Sequence, residues 1–245
     1  MKVALFVTCL VDQAAPGVGM ATVRLLEQLG CEVWFPEQQT CCGQPALNSG
    51  YPDQARQAAL SLMDAFESAA YVVSPSGSCV GTIHHHYPHL FDRDPELFRR
   101  ARRLIDKTYE LSQFLVNVLG RTDLKARLET TATYHASCHA HRLLGIKDEP
   151  LQLLGQVQGL ELIPLARVED CCGFGGAFSV KLPEISAAMA DEKLDAIEST
   201  GAAYVVSTDV GCLLHLSGRL ARRGSPVKTL HLAELLWQAM RGAAS

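Results

Sequence analysis

The stretch YVVSPSGSC at residues 71–79 returns as YVVSTDVGC at residues 204–212. In both copies a short apolar run, of the kind that reads as a strand buried on both faces, leads through small residues to a cysteine, Cys79 or Cys212. The neighbouring landmarks recur in the same order. GCEVWFP (30–36) resembles GLELIP (159–164), Cys-Cys-Gly at 41–43 resembles Cys-Cys-Gly at 171–173, and KTYELSQFL (107–115) resembles KTLHLAELL (228–236). Self-similarity in a fixed order is the mark of a duplicated unit. The expected halves are 1–120 and 128–245, related by internal pseudo-symmetry.

Within each half, strand-like and helix-like segments alternate. VALFVT (3–8), EVWF (32–35) and YVVS (71–74) read as strands. Thr22, Leu25, Leu26 and Leu29 mark one face of a helix, and Ala55, Ala59, Leu62, Met63 and Phe66 mark the inward face of another over 53–69. Asp94 and Pro95 suit an N-cap and first helical residue, for a helix buried through Leu97, Phe98, Ala101, Leu104 and Ile105. This segment has no counterpart in the second half and reads as an insertion. The charged residues of 92–103 form its exposed face. Such alternation predicts an α/β fold with mostly parallel sheets.

The chain has 245 residues, 48% of them hydrophobic, so it can bury one large core or two of ordinary size. Its formal charge of −4 supplies no basic field for nucleic acid. The apolar run at 3–11 is too short to span a bilayer, and no charged-then-apolar leader precedes it. The expectation is a cytoplasmic protein without a membrane span.

In the cytosol nine cysteines argue for metal or redox chemistry rather than a disulfide framework. The repeat sorts eight of them. Cys9, Cys41, Cys42 and Cys79 match Cys138, Cys171, Cys172 and Cys212, with 31 and 36 intervening residues in the first half and 32 and 39 in the second. Cys31 faces Leu160 in the repeat and reads as a buried core thiol.

Each matched cysteine follows a strand-like run. In a parallel sheet the carboxyl ends of the strands share one edge, so distant thiols can converge there. Adjacent side chains on an extended strand diverge, and two neighbouring cysteines serve one site only if the backbone turns. Gly43 and Gly173 permit that turn, and the amides exposed in it can hydrogen-bond to sulfur.

Four thiolates suit zinc or an iron–sulfur cluster. The sequence contains no C-x-x-C, and ligands scattered over about 70 residues on a pre-built scaffold favour the cluster. Two alternatives stand beside it. One is a zinc-stabilised scaffold that assembles partners. The other is a dithiol redox protein whose vicinal thiolates react without metal.

The duplicated C…CCG…C pattern resembles the cysteine-rich domain of heterodisulfide reductase B-type subunits and of the iron–sulfur subunit of glycolate oxidase. LFVTCLVD (5–12), CCGQPALNSGY (41–51), VVSPSGSC (72–79), SCH (137–139) and CCGFGGAFSVK (171–181) most resemble the lactate-utilization members of that family, and the likeness covers essentially the whole chain. The resemblance implies an iron–sulfur oxidoreductase subunit of a bacterial L-lactate oxidation system. Companion proteins, one with ferredoxin-like iron–sulfur motifs, would share in converting L-lactate to pyruvate. All eight matched cysteines would ligate clusters of the 4Fe–4S type. Heterodisulfide reductase-type domains commonly end each set on C-x-x-C, and Thr82 and His215 stand at the last position here. A five-cysteine cluster is therefore not carried over. A four-cysteine cubane, or a site completed by His215 or an exogenous ligand, stays open.

His135, His139 and His141 bracket Cys138 and could ligate, donate to sulfur or shuttle a proton, with His139 the foremost catalytic candidate. The His84–His86 tract has no counterpart in the second half and reads as a solvated loop or helix end. APGVGMAT (15–22) has Thr22 where a dinucleotide fingerprint needs its third glycine, and is set aside.

Overall fold

Val3, Ala4 and Leu5 lie in a strand shielded from water on both faces, which is why this run shows no polar alternation. In the computed structural model, which describes residues 1–243, the chain divides into two compact units, Met1–Leu111 and the residues from Ser112 onward. The first unit runs β1 (Lys2–Leu5), α1 (Cys9–Ala14), α2 (Pro16–Gln28), β2 (Glu32–Trp34), α3 (Gln44–Asn48), α4 (Pro52–Ala65), β3 (Val72–Ser74), α5 (Gly77–Leu90), α6 (Pro95–Ile105) and β4 (Thr108–Glu110). A short helix, α7 (Leu111–Gln113), then widens into a π-helical turn at Phe114–Val118. The second unit continues with β5 (Arg127–Tyr134), α8 (Cys138–Arg142), α9 (Glu149–Gly155), β6 (Gln158–Leu162), α10 (Ala177–Lys181), α11 (Pro183–Ser199), β7 (Tyr204–Ser207), α12 (Val210–Arg223), β8 (Lys228–His231) and α13 (Leu232–Gly242).

Each unit holds a four-stranded sheet of one design. The orders are β2-β1-β3-β4 and β6-β5-β7-β8, and every pairing is parallel. Parallel neighbours need crossover helices, so all four strands of a sheet end at the same edge. The duplication read from the sequence is a duplication of topology.

The helices start where local chemistry says they should. Asp94 Oδ1 accepts from the amides of Glu96 (3.1 Å) and Leu97 (3.0 Å), and Pro95 needs no partner for its nitrogen. At α13, His231 Nδ1 accepts from the Ala233 amide at 3.1 Å while Glu234 accepts from the His231 amide at 3.3 Å. In α4 the expected face is buried throughout, and Phe66 meets Phe6 edge-on with ring centroids 5.7 Å apart.

One expected core position is corrected. Phe98 is 36% exposed, because helical spacing puts 97, 101, 104 and 105 on one stripe and leaves 98 beside it. Its helix α6 has no counterpart in the second unit, where α12 leads directly to β8. On its outer side Arg100 reaches Asp64 at 2.5 Å and Glu67 at 3.1 Å, tying the insertion to α4 and the turn that follows it. The His84–His86 tract lies within the second half of α5, where His84 Nε2 contacts the Thr108 carbonyl at 2.9 Å. Gly17 and Gly19 lie inside α2 and form no phosphate loop. Among the described residues no helix is long and apolar enough to cross a membrane.

Candidate metal centres

The chain leaves β1 at Leu5 and enters α1 at Cys9, so this thiol sits on the first turn past the carboxyl edge of the sheet. Cys79 takes the same place after β3, near the start of α5, and Cys41 and Cys42 lie in the loop between β2 and α3. The four come together. Cys9 Sγ is 3.8 Å from Cys41 Sγ, Cys41 contacts Cys42, and Cys42 contacts Cys79. The second unit repeats the chain of contacts from Cys138 to Cys171, Cys172 and Cys212. All eight are free thiols. Cys42, Cys79, Cys172 and Cys212 are buried, Cys41, Cys138 and Cys171 are half-buried, and Cys9 is exposed. Cys31 lies in the core away from both sets, and burial raises its pKa.

The protons are shared unequally. Hydrogen bonds from Cys42 and Cys9, helped by the Gly43 amide, push the Cys41 pKa down to about 3. Hydrogen bonds from Cys138 and Cys172, with the Gly173 amide 3.4 Å from the sulfur, push Cys171 down to about 2. The donors Cys9, Cys42, Cys138 and Cys172 are raised in turn. In each quartet the thiol that receives the hydrogen bonds, Cys41 or Cys171, is thus the one most ready to give up its proton to an incoming cation.

The two glycines are required by the turn. Gly43 and Gly173 have φ of +87° and +83°, and a Cβ there would stand 3.0 Å from the Ala55 carbonyl oxygen or 2.6 Å from that of Ser186.

Several residues that sequence reasoning passed over hold the corners in place. Gln39 Oε1 accepts from the Val7 amide at 2.8 Å while its Nε2 donates to the Leu5 carbonyl at 3.1 Å, fastening the loop before Cys41 to the end of β1. The Tyr87 hydroxyl donates to the Cys42 carbonyl at 3.0 Å. In the second unit Glu169 occupies the place of Gln39 and pairs with His141 at 3.1 Å. Buried Lys193 donates to the carbonyls of Arg167 (2.7 Å) and Val168 (3.0 Å), and burial lowers its pKa to about 8. Ser186 Oγ donates to the Gly173 carbonyl at 2.7 Å. The only trace of these in the sequence is a mismatch between the repeats: Ser186 and Lys193 stand opposite Ala55 and Leu62.

The histidines separate by position. His139 Nδ1 is 3.4 Å from Cys138 Sγ on the half-buried side of the second site. His141 is engaged with Glu169. His135 is wholly buried, with one ring nitrogen within 4.8 Å of the sulfurs of Cys172 and Cys212. Burial, and then the charge of Lys193, hold its pKa down at about 3. His215 lies one turn beyond Cys212, but its Nε2 is occupied by Ser186, with Oγ at 3.2 Å, and its ring packs against Phe174. Thr82, its counterpart, donates to the Ser78 carbonyl at 2.9 Å.

Soft sulfur donors gathered at the ends of two like sheets select zinc or iron–sulfur groups over hard cations, and the residues present fit either. These features define a duplicated thiolate-centre protein, and the family model for the cysteine-rich CCG domain matches residues 3–84 and 132–217. The chain belongs to that family. Its relatives include lactate utilization protein A of Geobacillus kaustophilus (strain HTA426), 57% identical over 236 residues that cover 96% of this chain and 98% of the relative. The protein of that name from Bacillus subtilis (strain 168) is 54% identical, with 96% and 99% covered. A crystal structure of a hypothetical protein from Helicobacter pylori superposes with a TM-score of 0.71 at 12% identity, over 98% of this chain and 49% of that one. The chain spans about half the length of that protein, and the likeness is one of fold.

Proposed function

We propose that the chain is an iron–sulfur subunit of a cytoplasmic system that oxidises L-lactate to pyruvate and relays the electrons released. The observation that carries this reading is the pair of convergent quartets, each with its vicinal cysteines beside a positive-φ glycine. Identity of 57% and 54% over nearly the full length to proteins named for lactate utilization supports lactate as the substrate. Cys9, Cys41, Cys42 and Cys79 would hold one cluster, and Cys138, Cys171, Cys172 and Cys212 the other, one in each of the halves 1–120 and 128–245. Clusters of the 4Fe–4S type supply one-electron transfer when bound. The chain's own residues do the rest. The buried cysteines anchor each site, the amides of Gly43 and Gly173 donate toward sulfur, and exposed Cys9 leaves the first site open to a partner. His139, whose Nδ1 lies against the Cys138 sulfur, would be the candidate to hold a proton as lactate loses its two protons and two electrons. Companion lactate-utilization proteins, including a ferredoxin-like subunit, would complete the system.

A single zinc ion per quartet is the second reading. The 3.8 Å between Cys9 and Cys41 favours it, since sulfurs about 2.3 Å from one tetrahedral ion stand about 3.8 Å apart. Purification without oxygen, followed by iron, acid-labile sulfide and zinc per chain and an electron paramagnetic resonance spectrum of the reduced protein, separates the two. Near-equal iron and sulfide with a signal is the expected result. Zinc alone, without sulfide or signal, replaces the electron-relay reading with the scaffold.

A further inference from the structure

His135 and Phe6 occupy one position in the two repeats. Each lies three residues before the first cysteine of its quartet, and the backbone agrees: the Phe6 amide donates to the Val73 carbonyl and the His135 amide to the Val206 carbonyl, both at 2.8 Å. Both side chains are wholly buried. Phe6 packs against Phe66 and asks nothing of its neighbours. His135 is different, because neither of its ring nitrogens has a hydrogen-bond partner among the described residues. Leaving a buried polar group unpaired costs on the order of 1–3 kcal/mol, which a phenylalanine here would avoid. One of those nitrogens belongs to a compact group with the sulfurs of Cys172 and Cys212, all within 4.8 Å of one another.

We propose that His135 is a nitrogen ligand of the second site, taking one coordination position at the metal group that Cys138, Cys171, Cys172 and Cys212 surround, so that this group meets nitrogen as well as sulfur. The first site has Phe6 in that place and offers sulfur alone. The two centres of this chain are then chemically distinct. The inference rests on the reading that the quartets bind metal, and it holds for a cluster or a single ion, because imidazole takes the place of a thiolate in both kinds of site. His139 is not an equivalent candidate, since its nitrogen lies against Cys138 at the half-buried rim and not beside the two buried sulfurs.

The test is pulsed electron paramagnetic resonance on the whole, reduced, metal-loaded protein, prepared with natural-abundance and with 15N-labelled histidine. The expected result is a strong histidine nitrogen coupling that changes with the label, survives His139→Ala and disappears in His135→Phe. That variant should also lose metal from the second site to a chelator roughly tenfold faster or more, with the first site unaffected. Absence of a histidine coupling in the unaltered protein overturns the proposal, and so does a coupling that persists in His135→Phe. If His135→Phe fails to fold, the labelled protein and His139→Ala decide the matter: a coupling lost with His139 overturns it. Metal analysis is read separately. Zinc without iron defeats the cluster reading alone, since cobalt(II) exchanged into the site reports the same nitrogen. A chain that binds no metal overturns both.

Discussion

The carbonyl oxygen of Ser186 stands where a side chain on Gly173 would have to go, 2.6 Å from the position of a Cβ, while the Ser186 hydroxyl donates to the Gly173 carbonyl at 2.7 Å. The start of α11 and the second Cys-Cys-Gly corner are thus fitted to each other at backbone level. Gly173→Ala meets both a φ of +83° and a fixed backbone atom, and should destabilise the second unit by about 1–3 kcal/mol. Gly43→Ala faces the Ala55 oxygen at the looser distance of 3.0 Å and should cost less. Denaturant unfolding of the two variants checks the order, and equal losses would show that the closer contact at Gly173 relaxes freely.

The quartets make separate predictions for each half. Cys41→Ser removes the most acidic thiol of the first site and Cys171→Ser that of the second. Each variant should carry about half the metal of the parent, and each should abolish lactate-dependent electron flow in the assembled system if both centres lie on the electron path. Metal content per chain and reduction of an acceptor dye are the readouts. Full activity in both variants would remove this chain from that path.

Much of this was legible because two signals agreed. The apolar runs located strands, and the repeated order of landmarks sorted eight cysteines into quartets that converge in the structure. The histidines were harder. Three of them surround Cys138 in the sequence, and what separates them is the direction of the backbone. His135 is still bonded into the sheet and points into the core, whereas His139 and His141 lie on α8. Phe98 read as core because a hydrophobic residue stood beside a hydrophobic stripe, and only the register of the helix put it outside. Gln39, Ser186 and Lys193 act on backbone atoms of other loops, and no local pattern encodes such partners.

Lys193 offers a test of how the second corner is held. Its ammonium group closes off the carbonyls of Arg167 and Val168, just ahead of Cys171, from a position 2% exposed to water. The first repeat has Leu62 there. Lys193→Met keeps most of the volume but strips both carbonyls of their donor, and because Arg167 is exposed and Val168 half-buried water can partly replace it, so the loss is about 1 kcal/mol. The expected outcome is faster loss of metal from the second site under chelator, with the first unchanged. Equal retention at both sites would mean that the loop keeps its shape without the lysine.

The outer face of the second unit predicts a pH dependence. Asp191 on α11 receives a two-pronged contact from Arg219 on α12, with Nε to Oδ1 at 3.0 Å and Nη2 to Oδ2, and Arg223 approaches at 3.3 Å. Arg223 also reaches Asp195 at 2.8 Å and Glu198 at 2.7 Å. The Arg219 hydrogen bond, and then the charges of the two arginines, hold the Asp191 carboxyl below its ordinary value of 3.8. A carboxyl depressed in the folded state binds its proton more readily when unfolded. Its stabilisation is therefore fully present above the unfolded value and disappears as pH falls through the folded one. Because the group is partly solvated, Asp191→Asn should cost only about 1 kcal/mol at neutral pH. The difference between parent and variant, followed by denaturant unfolding, should stay constant from pH 7 to about 5 and shrink below about 4. A difference that is unchanged at pH 3 would assign the effect to packing between α11 and α12 and not to the ion pair.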